Sequence, residues 1–156
     1  MNKIDKKSKV IWNLESIQTF LMFFAGIGVI YFFFGDIKWV WKLLLIGLLY
    51  ILYNLITDLI SHHFAYKNSE YQLSDEILFI KNGGLIQYEN TIPLNRIQHS
   101  DIEQSFYSRI FDLYALNIYT AGDSHTIEYI KKDVADDLKD KIIKIITKVT
   151  DEHEKE

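Results

Sequence analysis

The sequence predicts an α+β protein: an N-terminal two-helix transmembrane hairpin, then a small antiparallel β domain closed by a C-terminal amphipathic helix. Three observations predict it. Two apolar runs, 17–34 and 43–60, fall before residue 61. From residue 70 short segments alternate apolar and polar residues between turn signals. Near the end, apolar residues recur at helical spacing. The expected organisation is a basic N-terminal flank (1–15), the hairpin (16–60), a linker (61–69), the β domain (70–150) and a charged tail (151–156).

The first run, IQTFLMFFAGIGVIYFFF, is uncharged over 18 residues. At about 1.5 Å per residue it spans roughly 27 Å, close to a hydrocarbon core. The second, LLLIGLLYILYNLITDLI, holds one charge, Asp58. Trp39, Trp41 and Lys42 in the connection form an interfacial belt. So short a connection makes the helices antiparallel neighbours. No small-residue cleavage site follows the first run, which opposes a signal peptide. Lys3, Lys6, Lys7, Lys9 and Lys67 flank one side of the hairpin, and Lys38 and Lys42 the other. The lysine excess predicts that both termini and the β domain are cytoplasmic.

In the β domain, strands are expected at 70–73, 76–81 and 85–88, with Asn82-Gly83-Gly84 as the hairpin turn between the second and third. The segment 91–96 carries the single proline, Pro93, which suits a strand start or an edge. Over 97–105 the apolar face is poorly defined, because Ile97 and Ile102 fall on opposite parities. Residues 106–112 read as a helical turn, 113–121 as the clearest strand, Gly122-Asp123-Ser124 as a turn and 125–130 as a returning strand. Val134, Leu138, Ile142, Ile145, Ile146 and Val149 mark the stripe of the last helix. Asp133 is its expected cap, with Asp136 and Asp137 at its positive end and Lys139, Lys141, Lys144 and Lys148 later. Such a helix buries its stripe only by closing over the sheet.

Ile92-Pro93, Arg96-Ile97-Gln98, Arg109 and Thr120-Ala121-Gly122 occur in that order, preceded by strand, glycine turn and strand and followed by the helix. Over residues 70–148 this pattern resembles the bacterial PH-like (pleckstrin-homology-like) membrane-flanked domain family, whose small members carry a two-helix anchor. The sequence has Phe111-Asp112 where that pattern leads one to expect a glycine near Arg109. The resemblance implies a PH-like antiparallel barrel or sandwich. It also implies a role beside another membrane protein, since related proteins are associated with cell-envelope stress and antimicrobial-peptide resistance.

Several chemistries are opposed by the residues themselves. There is no cysteine, which excludes disulfides, thiolate metal sites and cysteine nucleophiles. Net charge is −4, and residues 61–156 hold eleven Lys and Arg against seventeen Asp and Glu. That balance offers nothing to nucleic acid, and the Ser74-Asp75-Glu76 turn is acidic where phosphoinositide-binding PH domains are basic. His62 and His63 are adjacent, so on a helix they point about 100° apart and do not form a metal pair. His99-Ser100-Asp101 has the letters of a triad, but neighbours on a strand alternate faces. His99, Asp101 and Glu103 share one parity and read as a solvated strand face. His125 reads as structural or exposed, and Gly83-Gly84 lacks the lysine and helix start of a phosphate loop. No metal, cofactor or catalytic residue is expected.

Two sets of residues remain as candidate partner contacts. Gly47, Tyr50, Asn54 and Thr57 fall at i, i+3, i+7 and i+10, with Asp58 beside them. They form a face smaller or more polar than its surroundings, and such groups in lipid usually face protein. Packing against the first helix, with Gly26 allowing close approach, is the plainer account. Arg96 and Arg109, the two arginines, either fix turns by pairing with carboxylates or anchor a partner. The leading expectation is a non-enzymatic membrane adaptor in a complex with another membrane protein or with itself. The alternative is a sensor binding a small molecule, peptide or lipid between sheet and helix.

Overall fold

A computed structural model describes residues 1–153. Helix α1 runs Ser8–Phe34 and α2 runs Val40–Asn68, antiparallel to each other. Both are transmembrane helices by length and composition, with mean hydropathies of 2.0 and 2.1 over their apolar windows. They are longer than the apolar runs. Their 27 and 29 residues would reach about 40 Å, more than a bilayer core is thick. The excess lies at one end: residues 8–16 of α1 and 61–68 of α2 continue as a paired stalk. The segment expected as a linker is therefore helical up to Asn68, and Ser69 alone joins it to the first strand of the domain proper.

Seven strands form two antiparallel sheets. In the first, β1 (Asn2–Lys3), β2 (Glu70–Leu73), β3 (Ile77–Asn82) and β4 (Tyr88–Pro93) lie in sequence order. The second holds β5 (Ile97–Glu103), β6 (Tyr114–Thr120) and β7 (Ser124–Ile130), also in order. The sheets stay separate, so the domain is a sandwich and not a closed barrel. Strand β1 comes from the N-terminal flank, where no strand is expected from sequence. Lys3 pairs with Glu70 at 3.3 Å, and the Asp5 amide donates to the Tyr129 carbonyl at 2.8 Å, so this segment links the sheets.

A turn at Leu94–Arg96 joins β4 to β5, and a short helix α3 (Phe106–Ile110) joins β5 to β6. Helix α4 (Lys132–His153) closes the sandwich with Ala135, Leu138 and Ile142, packing on Leu78, Ile97 and Ile118. Asp133 lies in its first turn instead of capping it. Ile146, Lys148 and Val149, expected on α4, have side chains outside the described residues.

Three local departures from the sequence expectation have backbone causes. The third strand begins at Tyr88, opposite Asn82, so residues 83–87 form a loop and Leu85 is not in a strand. Gly83 has φ +134°, a conformation open to glycine alone at low cost. Strand β5 carries a bulge: Ile97 pairs with Thr120 and His99 with Tyr119, leaving Gln98 extra. The bulge reverses parity, so Ile97, Ser100 and Ile102 all turn inward. Pro93 ends the edge strand β4, where its missing N–H costs no ladder bond.

Candidate functional site

The polar face of α2 opens into a groove between the two transmembrane helices. It has a volume of about 420 Å³ and is lined by Gly47, Tyr50, Asn54 and Asp58 from α2 and by Ser16, Thr19 and Phe20, among others, from α1. Gly47 faces α1 across the seam, where a Cβ would make an ordinary contact with Ile27 Cδ1 at 3.7 Å. Gly26 does not contribute: a side chain there would meet nothing, because it faces away from α2.

The polar groups are satisfied mainly within their own helices. Asn54 Nδ2 donates to the Tyr50 carbonyl at 2.8 Å, and Thr57 Oγ1 to the Tyr53 carbonyl at 2.9 Å. On α1, Thr19 Oγ1 donates to the Glu15 carbonyl at 2.9 Å. One bond crosses the groove, from Ser16 Oγ to Asp58 Oδ2 at a long 3.4 Å. Among the described residues, the Asn54 carboxamide oxygen and most of the Asp58 carboxylate's acceptor capacity have no further donor. Tyr50 lies exposed at the groove rim. Ser16 and Thr19 are absent from the sequence-derived candidates. Their spacing with Phe20, Phe23 and Ile27 puts them on one face of α1, and the helical periodicity applied to α2 would have found them.

The two arginines are not brought together. Arg96 sits in the turn before β5 and Arg109 in α3 after it, both exposed. Among the described residues neither lies within 4.0 Å of a carboxylate, so the turn-fixing ion pairs do not form.

The histidines have separate surroundings. His62 Nδ1 lies 3.1 Å from Asn13 Oδ1 and its ring stacks on Trp12, whereas His63 is exposed beside Phe64. His99 stacks flat on Tyr119 with centroids 4.3 Å apart, while Ser100 turns into the sandwich. His125 stands 4.0 Å from Asp123. Among the described residues no three metal-ligating side chains converge.

The stalk and the domain meet in a second small core of Ile4, Ile11, Leu113 and Tyr129, flanked by Trp12, Tyr66, Tyr107 and Phe111. A bulge in β7 makes this contact. Tyr129 has φ +57° and an irregular register, so its ring turns to meet Trp12 edge-on at 5.3 Å. Burial raises the Tyr129 phenol above its ordinary range, and the charges of Glu128 and Glu15 add to this. Glu128 lines a neighbouring groove that keeps its side chain in reach of solvent although protein surrounds it. Desolvation, then the charges of Glu15 and Glu103, raise its carboxyl as well.

The family described as bacterial PH domain matches residues 22–145, across most of the hairpin and nearly all of the sandwich. The chain belongs to the bacterial PH domain family. This bacterial PH domain protein is also similar to the UPF0699 transmembrane protein YdbS of Bacillus subtilis (strain 168). The two are 25% identical over 154 residues, covering 97% of this chain and 95% of the relative. No solved structure matches it.

Proposed function

We propose that the chain is a non-enzymatic adaptor, a PH-like sandwich held at the inner face of the membrane and working in a complex with another membrane protein. The observation that carries this reading is the groove between α1 and α2, where Asn54 and Asp58 keep acceptor capacity inside an apolar setting. An incoming transmembrane helix with a hydroxyl, amide or cationic group would satisfy them, which lipid tails do not. In this reading Gly47, Tyr50, Asn54, Thr57 and Asp58 form the docking face in the bilayer, and exposed Arg96 and Arg109 are contacts outside it. Both termini are cytoplasmic, on the side the lysines favour. The physiological setting is cell-envelope stress or antimicrobial-peptide resistance.

The test is recovery of partners from native membranes with Asn54→Leu plus Asp58→Leu, against Leu49→Ala plus Leu52→Ala on the exposed side of α2. Interhelical polar contacts contribute about 0.6–2 kcal/mol each, so the polar double change should lower recovery roughly tenfold. Equal recovery of both variants would remove the docking role of the groove.

A second reading, a sensor, has one observation in its favour. A groove of about 570 Å³ lies between β2 and α4, lined by Tyr71, Leu73, Val134, Leu138 and Lys141 among others. Ligand-dependent protection of these residues from hydrogen exchange, with no partner recovered, would favour it over the adaptor.

A further inference from the structure

Four apolar residues of the sandwich stand far out of it: Leu85 at 62% exposure, Ile86 at 68%, Phe106 at 75% and Ile110 at 62%. They belong to two segments distant in sequence, the β3–β4 loop and α3. Each segment is fastened to a different transmembrane helix, near the domain-side end of the hairpin. Gly84 packs so tightly against Ser61 that a Cβ would strike its hydroxyl, and Asn68 Nδ2 donates to the Gly84 carbonyl at 3.4 Å. Ser61 directly follows the second apolar run. On the other side Tyr107 Oη donates to Gln18 Oε1, and Gln18 stands at the start of the first run.

The cross-helix contacts Ser16–Asp58 and Asn13–His62 set the two helices in height. Ser61 then lies opposite about residue 13 or 14, so Gln18 and Ser61 differ in depth by roughly 7 Å, about the thickness of an interfacial layer.

We infer that the β3–β4 loop and α3 form a collar that dips into the lipid interface on either side of the hairpin. Leu85, Ile86, Phe106 and Ile110 enter the acyl boundary. Arg109, exposed between Phe106 and Ile110, reaches the headgroup phosphates.

The rest of the domain agrees with this orientation. Strand β4 leaves the loop and ends at Pro93, and β5 returns to α3, so both apolar segments occupy one end of the sandwich. The acidic turn Asp75-Glu76 between β2 and β3 lies at the other end of the first sheet from the β3–β4 loop, away from an anionic leaflet. The collar holds the sandwich at a fixed height and tilt, with its net negative face toward the cytosol. It binds lipid by apolar insertion beside an anchor, so it needs no basic headgroup pocket.

The chain has no cysteine, so single nitroxide labels can be placed at Ile86→Cys, Phe106→Cys and Asp75→Cys in the full chain. The labelled chains are reconstituted in nanodiscs of phosphatidylglycerol and phosphatidylcholine. Relaxation by oxygen, which partitions into lipid, is compared with relaxation by a water-soluble nickel chelate. Labels at 86 and 106 should be at least fivefold less accessible to nickel than the label at 75, and more accessible to oxygen. Nickel access at 86 and 106 equal to that at 75 would overturn the collar. Shielding from both reagents would also overturn it, because protein, not lipid, then covers these residues.

Discussion

Within the bilayer, Leu45, Leu49, Tyr53 and Ile56 of α2 face outward, and the helices meet along a seam opened by a polar groove. Less than two turns beyond that groove, in the stalk, Ile11 is fully buried among Ile4, Leu113 and Tyr129. The same two helices are thus held in two ways. In lipid, apolar side chains gain nothing by leaving their solvent, so the seam depends on van der Waals packing, as of Ile27 on Gly47, and a few polar contacts. In the stalk water is the solvent, and burial of Ile11 and of aromatic rings carries the packing. The stalk contacts also include Lys9 Nζ, 4.4 Å from the centre of the Tyr66 ring, and the Trp12–His62 stack. A helix pair with a polar groove in the bilayer and a packed base would suit the adaptor role proposed above, in which a partner docks without disturbing the pose of the domain.

Ile11→Ala tests that contrast most severely. Removing a fully buried isoleucine that cannot be replaced by lipid should cost about 2–5 kcal/mol. The thermal midpoint of the detergent-solubilised chain should then fall by roughly 5–15 °C. Leu49→Ala, on the lipid side, should leave it within about 2 °C. Similar losses in both variants would mean that stalk and membrane segments are held by the same force.

The two regions also differ in how far they can be read from sequence. The membrane spans are legible because a long apolar run has few alternatives, and the α2 stripe is legible because Asn54 and Asp58 stand out against leucine. The stalk is not. Ile11, Trp12, Asn13 and His62 read as flank residues, since their burial comes from β7 and α3, far away in sequence. Strand β1 has only two residues and no periodicity. Strand β5 hides its inner face behind the bulge at Gln98, whereas Ser16 and Thr19 lie on the α1 face that its helical period marks. By contrast β6 forms where the turns at its two ends bound it, although Asn117 is buried along with Leu116 and Ile118, and the Leu138–Ile142 stripe of α4 behaves as its period predicts.

The contact between stalk and domain carries a charge conflict that pH should expose. Glu128 holds its proton more tightly in the folded chain than in the unfolded one, because desolvation and the charges of Glu15 and Glu103 disfavour the anion. A raised folded value contributes stability below the ordinary carboxylate range, and that contribution is lost as pH rises through the raised value. At pH 7 the anion is therefore a burden, and Glu128→Gln should relieve it. Because the side chain reaches solvent, the gain should be on the order of 1 kcal/mol or less. Thermal midpoints of the two chains should differ at pH 7 and converge near pH 4. A gain that persists at pH 4 would point to packing of the amide rather than relief of charge.

The smallest expected effect concerns the end of α3, beside the stalk. The Leu113 amide donates to the Ser108 carbonyl at 2.9 Å and the Asp112 amide to the Arg109 carbonyl at 3.4 Å. These two bonds form a Schellman cap, which requires a left-handed residue at Asp112, and Asp112 has φ +54°. Here lies the place where the family pattern suggests glycine. Aspartate tolerates the conformation better than most residues and gains a 3.3 Å hydrogen bond from Tyr114 Oη, yet it still strains against its own Cβ. Asp112→Gly removes the strain and the tyrosine bond together, and it adds entropy to the unfolded chain, so the net gain should be only a few tenths of a kcal/mol. Asp112→Ala keeps the Cβ and loses the bond, and should cost about 1–2 kcal/mol. The ordering glycine, aspartate, alanine in thermal midpoint is the readout. If alanine matched glycine, the cap would not depend on the left-handed residue, and Leu113 would be held in the stalk core by its packing alone.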